Sequence, residues 1–411
     1  MKILVVCQYY KPEPFRVSDI CEALVAKGHE VTVLTGVPNY PMGEIYEGYQ
    51  GQDKRQEWVN GVRVFRHWTL PRKQGAVHRL LNYLSFPLSS SFAVWRNHYR
   101  ALDGSDFDVV LVNQLSPVLM AAAGVVYKKK YQKPLLLYCL DLWPLSLTAG
   151  GVSEKSFLYR LFGQMAKKIY QASDQILVTS RNFTDYLVSE HGVEADKIAY
   201  LPQYAEDVFQ PRFELKDKTG LDLMFAGNIG VSQDLDTVIE AARLLEHSHK
   251  NVEVHFHIVG DGSELERLKN LVATQDLKTV TFYGRKPVEE MPAFYELADA
   301  MLVTLAGASA LAETLPGKVQ SYMAAGKPII GAINGETQKV VEEAQCGFVA
   351  PAQDVQTLVK DILSFSILTA EERLNLSENA RSYYEKEFSK EKYIKQLEKY
   401  LKRGYHENSN D

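Results

Sequence analysis

The chain has 411 residues, of which 46% are hydrophobic and 24% are charged, and its formal net charge is −5. This length exceeds what one ordinary core supports, so two domains of about 200 residues are expected. The composition excludes a disordered or fibrous protein, and no apolar run reaches the roughly 18 residues that a membrane-spanning helix needs.

The four cysteines are scattered along the chain without a CxxC pair. This usage argues against a disulfide framework or a zinc site and favours a reducing compartment. Met1 and Lys2 lead directly into an apolar run that lacks the pattern of a signal peptide. We therefore expect a cytoplasmic protein.

Charge is distributed unevenly between the two halves. Residues 1–205 carry 23 Lys and Arg against 18 Asp and Glu, whereas residues 206–411 carry 23 against 33. Residues 54–100 hold nine basic residues and one acid, which indicates an anionic partner. The acidic second half and the lack of a recognised nucleic-acid module argue against nucleic acid.

The first half predicts strands that alternate with helices. Amphipathic spacing over 17–27 predicts a helix that ends at Gly28. Apolar, β-branched runs predict strands at 2–7, 29–35, 109–112, 135–139 and 175–178. Short buried strands separated by helices imply a parallel sheet with both faces covered.

The second half repeats this scheme. Strands are predicted at 221–226, 252–259, 279–282, 300–304 and 328–332, with helices at 235–245, 264–273, 288–298 and 318–325. We therefore predict an α/β protein with two Rossmann-like, doubly wound parallel-sheet domains, 1–205 and 206–411. The last helices of the second domain could pack back on the first. Such sheets bind ligands outside the carboxyl ends of their strands, which predicts a site in a cleft between the halves.

Residues 313–330 carry the clearest functional signal. Pro316 and Gly317 open a predicted helix, and Lys318 lies in its first turn. A helix N-terminus presents unpaired N–H groups and a partial positive charge, so it attracts anions. Because a first-turn lysine opposes the helix dipole, a bound anion explains it better than solvent does. The arrangement suits the pyrophosphate of a nucleotide-sugar.

Two glycine turns follow predicted strands, Gly227-Asn228-Ile229-Gly230 and Gly260-Asp261-Gly262. Glycine at these positions lets the backbone turn tightly and approach a phosphate. Each turn alone is more often a plain strand–helix connection. Together with the helix start at Pro316 they favour a phosphate-binding site.

The order of the motifs in the second half resembles glycosyltransferase family 4. The motifs are Phe225-Ala226-Gly227-Asn228, Val259-Gly260-Asp261-Gly262, Phe282-Tyr283-Gly284-Arg285 and, after Glu313, Met323-Ala324-Ala325-Gly326-Lys327-Pro328. In the first half, Pro38-Asn39-Tyr40-Pro41 and Asp141-Leu142-Trp143-Pro144 resemble a bacterial subgroup that includes L-fucosamine transferases of surface-polysaccharide synthesis. The resemblance implies the GT-B fold, in which two Rossmann-like domains face each other across a cleft.

The same resemblance implies a retaining transferase that moves a sugar, with an N-acetylated amino sugar as a candidate, from a UDP-sugar in capsule or O-antigen synthesis. UDP-sugar is then a substrate, and neither a metal nor another cofactor is expected. The implied acceptor is a saccharide or a polyprenyl-diphosphate-linked sugar. The basic and aromatic segment 79–96 fits contact with an anionic membrane surface, and an ordinary covering helix is equally open for it.

The resemblance assigns roles to individual residues. Glu313 would position the donor sugar, and Asp141, at the end of a predicted strand, would be a cleft-facing carboxylate or a helix N-cap. The residues assigned to the donor are Arg16, Gly227, Asn228, Gly260, Arg285, Thr314, Leu315, Pro316, Gly317, Lys318 and Ser321. For Arg16 a plain position on the helix surface is equally open. Family members often have a second Glu where Ser321 stands and a basic pair where Asn228 and Gln233 stand, so the phosphate charge would fall to Lys318 and the helix N-terminus, with Arg285 or Arg16 as further candidates.

These departures leave open a non-catalytic GT-B-fold partner in a glycan-assembly complex. A further alternative is a GT-B-shaped UDP-sugar epimerase, which would need acid and base carboxylates. The sequence shows no convincing pair of them.

Overall fold

A computed structural model describes residues 1–51, 53–71, 75–209, 220–249, 251–307 and 314–407 and divides the chain into two units. The first unit comprises Met1–Leu201 together with the residues from Ile394 onward, and the second is Pro202–Tyr393. The predicted boundary at 205/206 lies close to this division. The terminal segment, which the prediction counted with residues 206–411, belongs to the first unit.

The first unit is built on an eight-stranded sheet with the order β3-β4-β2-β1-β5-β6-β7-β8. Neighbouring strands are parallel except for the antiparallel hairpin β3–β4. The strands are β1 (Lys2–Val6), β2 (Glu30–Gly36), β3 (Gln56–Val59), β4 (Val62–His67), β5 (Val109–Gln114), β6 (Leu135–Cys139), β7 (Gln175–Val178) and β8 (Ile198–Tyr200). The helices are α1 (Val17–Ala26), α2 (Ala76–Arg96), α3 (Ala122–Tyr131), α4 (Phe157–Ala172) and α5 (Phe183–His191).

Burial explains the sequence of the central strands. Leu4, Val6, Val110 and Val112 are fully buried in one apolar cluster. Ile3 and Val5, which point to the opposite face of the sheet, are fully buried as well. A parallel sheet covered on both faces needs such continuous apolar runs. The hairpin β3–β4 differs, since buried and half-buried residues alternate along β4, and sequence analysis did not predict it.

The second unit contains a parallel six-stranded sheet with the order β11-β10-β9-β12-β13-β14. Its strands are β9 (Leu221–Ala226), β10 (Val254–Val259), β11 (Val280–Gly284), β12 (Ala300–Thr304), β13 (Ile329–Ala332) and β14 (Gly347–Ala350). Its helices are α6 (Leu235–Ser248), α7 (Leu265–Thr274), α8 (Met291–Leu297), α9 (Gly317–Ala324), α10 (Glu336–Ala344), α11 (Val355–Ser366) and α12 (Ala370–Tyr383). The prediction of two α/β parallel-sheet domains is confirmed.

The final helix, α13 (Lys390–Glu407), ends in the first unit. The His29 ring nitrogen Nε2 lies 2.9 Å from a carboxylate oxygen of Glu398. Gly404 packs so closely that a Cβ there would lie 3.0 Å from the Cδ1 atom of Leu136. In the part of the chain described, no helix is long and apolar enough to cross a membrane.

Candidate functional site

The glycine turns after β9 and β10 lie against each other in the second unit. The Gly227 N–H donates to the Val259 carbonyl at 2.9 Å, and the Ile229 N–H donates to the Asp261 carbonyl at 2.8 Å. Gly260 has φ +147°, and a Cβ there would lie 1.8 Å from the Gly227 carbonyl oxygen. Only glycine fits this close approach, so the two turns form one continuous rim at the carboxyl end of the sheet.

Helix α9 begins beside this rim. Pro316 takes the cap position without a side-chain cap bond. Its carbonyl accepts from the Val319 N–H at 3.0 Å, and the N–H groups of Gly317 and Lys318 precede the first bond within the helix. The buried Tyr322 fixes the helix to β9, because its hydroxyl accepts from the Ala226 N–H and donates to the Ala226 carbonyl, both at 3.0 Å. The helix start predicted from the sequence is therefore next to the predicted glycine turn.

Lys318 reaches from α9 to the rim. Its Nζ lies 3.0 Å from the position that a Cβ of Gly227 would take. The same Nζ donates to Oε1 of Gln233 at 2.6 Å and lies 3.8 Å from the centre of the Phe225 ring. Burial lowers the pKa of Lys318 to about 7, because an ammonium group with a neutral amide and a ring as partners is poorly compensated.

The other residues predicted to bind the donor differ in their exposure to solvent. Gly227 and Asn228 are exposed on the rim, and Arg285 is exposed just after β11. Ser321 is buried, and its hydroxyl donates to the Gly317 carbonyl of its own helix at 3.4 Å. Of the residues preceding α9, Leu315 is buried and Thr314 is half-buried. Glu313 lies outside the described residues.

Asp141 follows β6 in the first unit and is half-buried. Burial raises the pKa of this carboxyl to about 6, although hydrogen bonds from Ser146 and Ser116 act in the opposite direction. The Gln114 side chain donates to the Asp141 carbonyl at 2.9 Å and so links the ends of β5 and β6. The predicted carboxylate is thus held at the carboxyl end of a parallel strand. Arg16 is half-buried at the start of α1.

Glu13 is a buried carboxyl group that sequence reasoning missed. It is 1% exposed, and its Oε1 accepts from the backbone N–H groups of Asn39 at 2.8 Å and Tyr40 at 2.7 Å. Burial still raises its pKa to about 7. The signal in the sequence was an acid between Pro12 and Pro14 just after a predicted strand.

The described residues contain no group of three or more His, Cys, Asp or Glu side chains that could hold a metal ion. All four cysteines are free and buried. The described side chains place the ammonium of Lys318 at the rim and the carboxyl group of Asp141 at a strand end of the first unit.

Two family models match this chain. The model described as glycosyl transferase 4-like domain matches residues 15–203, and the model described as glycosyl transferases group 1 matches residues 208–383. The putative colanic acid biosynthesis glycosyl transferase WcaI of Escherichia coli K12 is 27% identical over 349 residues, which are 79% of this chain and 82% of that protein.

Two solved structures share the fold across nearly the whole chain. Sucrose-phosphate synthase of Thermosynechococcus elongatus matches with a TM-score of 0.74 at 16% identity, over 98% of each chain. Anabaena Alr3699/HepE, solved in complex with UDP and glucose, matches with a TM-score of 0.68 at 16% identity, over 98% of this chain and 99% of that one. At these identities the likeness concerns the fold alone.

Proposed function

Because this chain belongs to the glycosyl transferase family whose two models it matches, we propose that it moves a sugar from a UDP-sugar to a lipid-linked acceptor in the synthesis of a bacterial surface polysaccharide. The observation that carries the proposal is the ammonium of Lys318 beside the glycine rim and the start of α9. The colanic acid relative supports the polysaccharide, and the UDP complex of Alr3699/HepE supports the nucleotide.

In this proposal the rim and Lys318 bind the diphosphate of the donor. Because Gly227 has no Cβ, it leaves room for the phosphates beside the Lys318 Nζ, and the first turn of α9 presents N–H groups to them. Protonated Lys318 supplies a full positive charge where negative charge develops as UDP departs. This assigns to the protein the charge stabilisation that a metal would otherwise give, so we expect transfer to persist in EDTA.

The chemical step is proposed to retain the anomeric configuration. The bond between the anomeric carbon and the diphosphate oxygen breaks, and the acceptor oxygen bonds to the same face of that carbon. The acceptor hydroxyl proton passes to the departing phosphate, so the transfer balances without a further reagent. Because of its spacing to Pro316, Glu313 is proposed to position the donor sugar. The first candidate for the transferred sugar is an N-acetylated amino sugar.

A peripheral position at an anionic membrane is part of the proposal. Leu88, Phe92 and Trp95 are 68%, 56% and 67% exposed and recur at helical spacing along α2. Exposed apolar side chains at this spacing fit the interface of a bilayer, where a lipid-linked acceptor would be found. Cosedimentation with vesicles should therefore fall when Phe92 and Trp95 are both changed to Ser.

Titration with UDP tests the nucleotide assignment directly. We expect the wild type to bind UDP and Lys318→Gln to bind it about tenfold or more weakly, as the loss of a charge-assisted contact predicts. Arg160→Gln, on the exposed surface of α4, makes the same charge change and should have little effect. If the wild type binds no UDP even at about millimolar concentration, far weaker than an ordinary substrate, the proposal fails and a non-catalytic partner is favoured.

A screen of UDP-sugars by product formation then separates transfer from epimerisation. A transferase yields UDP and a glycosylated acceptor, whereas an epimerase converts one UDP-sugar into another and needs no acceptor. We expect release of UDP that depends on added acceptor.

A further inference from the structure

An open groove of about 770 Å³ lies in the first unit, between the hairpin β3–β4 and the end of α2. Its lining contains four arginines and two histidines but no Asp or Glu among the described residues. A volume of this size is typical of sites for small ligands. The groove therefore combines room for a ligand with an excess of positive charge.

Three of the arginines in the lining have protein partners. Arg66 forms an ion pair with Glu57 at 2.5 Å, and Arg100 pairs with Asp106. The Arg63 guanidinium donates to Thr32 Oγ1 at 3.0 Å and 3.2 Å. These three side chains shape the groove, and their donors are largely committed to the fold.

Three nitrogens of the lining are enclosed and have no hydrogen-bond partner within the described ranges. They are the Nε of Arg55, the Nε2 of His67 and the Nη1 of Arg66, whose other nitrogens are paired. Burial, and after it the charge of Arg55, lowers the pKa of His67 to about 4. Enclosed polar groups are nearly always hydrogen-bonded in folded proteins. Three unsatisfied ones at one groove therefore favour the binding of an acceptor group, which reaches them when the Arg55 and His67 side chains rotate toward the groove.

Apolar side chains border the same groove. Trp68 lines it and is 55% exposed. Phe65, Ala93 and Tyr99 also line it, and the exposed Phe92 precedes Ala93 in α2. A ligand that matches this border has an anionic head and an apolar chain, since Trp favours the boundary between water and lipid.

We propose that this groove binds the phosphate group of a lipid, with Arg55 and His67 as its principal contacts. The phosphate can belong to a membrane phospholipid or to the lipid carrier of the sugar acceptor. The inference deepens the proposed membrane contact but does not depend on sugar transfer, because the nucleotide-binding residues Gly227 and Lys318 belong to the second unit.

Cosedimentation of the full chain with three kinds of vesicle tests the proposal. The vesicles contain phosphatidylcholine alone, phosphatidylcholine with phosphatidylglycerol, and phosphatidylcholine with a polyprenyl phosphate. We expect binding that requires one of the two anionic lipids. A response to phosphatidylglycerol identifies a phospholipid headgroup, and a response only to the polyprenyl phosphate identifies the acceptor carrier. The proposal is overturned if neither lipid increases binding.

Matched variants separate the groove from general surface charge. Arg55→Gln and His67→Phe should each weaken the lipid-dependent binding, Arg55→Gln by about tenfold. Arg160→Gln removes the same charge from α4 and should change the binding less than about twofold. Equal losses in Arg55→Gln and Arg160→Gln would show diffuse attraction and reject the groove.

Titration of each variant with UDP serves as the folding control. Arg55→Gln and His67→Phe should bind UDP as the wild type does. If UDP binding is absent in the wild type while the lipid response remains, the proposed function fails and the groove stands.

Discussion

The ammonium of Lys318 and the side-chain amide of Gln233 are joined by a 2.6 Å hydrogen bond across 85 residues of sequence. The amide positions the ammonium without neutralising it, and the lysine has no acidic partner among the described residues. Burial consequently lowers its pKa to about 7. A diphosphate bound at the glycine rim would restore the charged form, which couples nucleotide binding to the uptake of a proton.

We therefore predict that UDP binding takes up a proton through Lys318 in mildly alkaline solution. At about pH 8 most Lys318 side chains are neutral before binding, so uptake approaches one proton, whereas at about pH 6 they are already charged and uptake is small. Calorimetric titration in buffers of different ionisation enthalpy measures it. Lys318→Arg, whose charge does not titrate, corrects for the protons of UDP itself, and equal uptake in both proteins would contradict the prediction.

Gln233 should act as a positioning residue for Lys318. Gln233→Glu keeps the size and the acceptor oxygen but adds a negative charge beside the ammonium. That charge competes with the diphosphate, so we expect UDP to bind about tenfold more weakly. Gln356→Glu, on the exposed side of α11, is the matched control. If the dissociation constant for UDP is unchanged in Gln233→Glu, Gln233 does not contribute to the nucleotide site.

The sequence predicted most of the two sheets, because their central strands are continuous apolar runs bounded by turns. It missed the edge strands β8 and β14 and the hairpin β3–β4. The arginines of the hairpin were interpreted as a basic patch rather than as strand residues. Arg66 is nevertheless buried, because Glu57 on the neighbouring strand compensates its charge. Such compensation comes from pairing across a sheet, which periodicity along one segment does not reveal.

The sequence predicted some residues of the candidate site and missed others. Lys318 and the glycine turns follow from local motifs, whereas Gln233 was counted only as a missing charge. Its role depends on a contact between distant segments, and no local pattern encodes such a contact. Glu13 was missed for a similar reason, since its two shortest hydrogen bonds come from the backbone N–H groups of Asn39 and Tyr40 in another loop.

Gly260 should be essential for the stability of the second unit. In Gly260→Ala the new Cβ would lie 1.8 Å from the Gly227 carbonyl oxygen, and the φ of +147° would be strained as well. We expect a loss of several kcal/mol, typical of backbone clashes and strain, measured as a lower unfolding midpoint. Gly163→Ala is the control, because its Cβ would meet only Pro144, at 3.9 Å, within a helix. A wild-type midpoint for Gly260→Ala would disprove the close approach.

Asp141 should affect turnover without affecting nucleotide affinity. Its carboxyl group belongs to the first unit, whereas the rim and Lys318 belong to the second. We expect Asp141→Asn to lower kcat about tenfold or more, as for a group acting in proton transfer or positioning, while UDP binds with wild-type affinity. Asp53→Asn, at an exposed position of the first unit, is the matched control. Asp174→Asn is unsuitable because the Asp174 carboxylate accepts a hydrogen bond from the Leu135 N–H at the start of β6. An unchanged kcat in Asp141→Asn would remove this residue from the reaction.

Glu13 should make the stability of the first unit depend on pH. Its pKa is raised from an ordinary 4.5 to about 7 in the folded chain, so the folded state keeps a proton that the unfolded state loses. The contribution of this group to the free energy of unfolding is therefore fully present below about pH 4.5 and falls as the pH rises to about 7, by about 1.4 kcal/mol per pH unit.

Glu13→Gln cannot ionise, and its amide oxygen can still accept from the N–H groups of Asn39 and Tyr40. The variant should consequently lose this slope and become more stable relative to the wild type as the pH rises, with the difference levelling off above about pH 7. Urea unfolding followed at several pH values measures the difference. Glu44→Gln, at an exposed position of the same unit, should follow the wild type throughout. A Glu13→Gln curve parallel to that of the wild type would show that the carboxyl group is already ionised in the folded protein, because only a group that changes its protonation on unfolding can produce the slope.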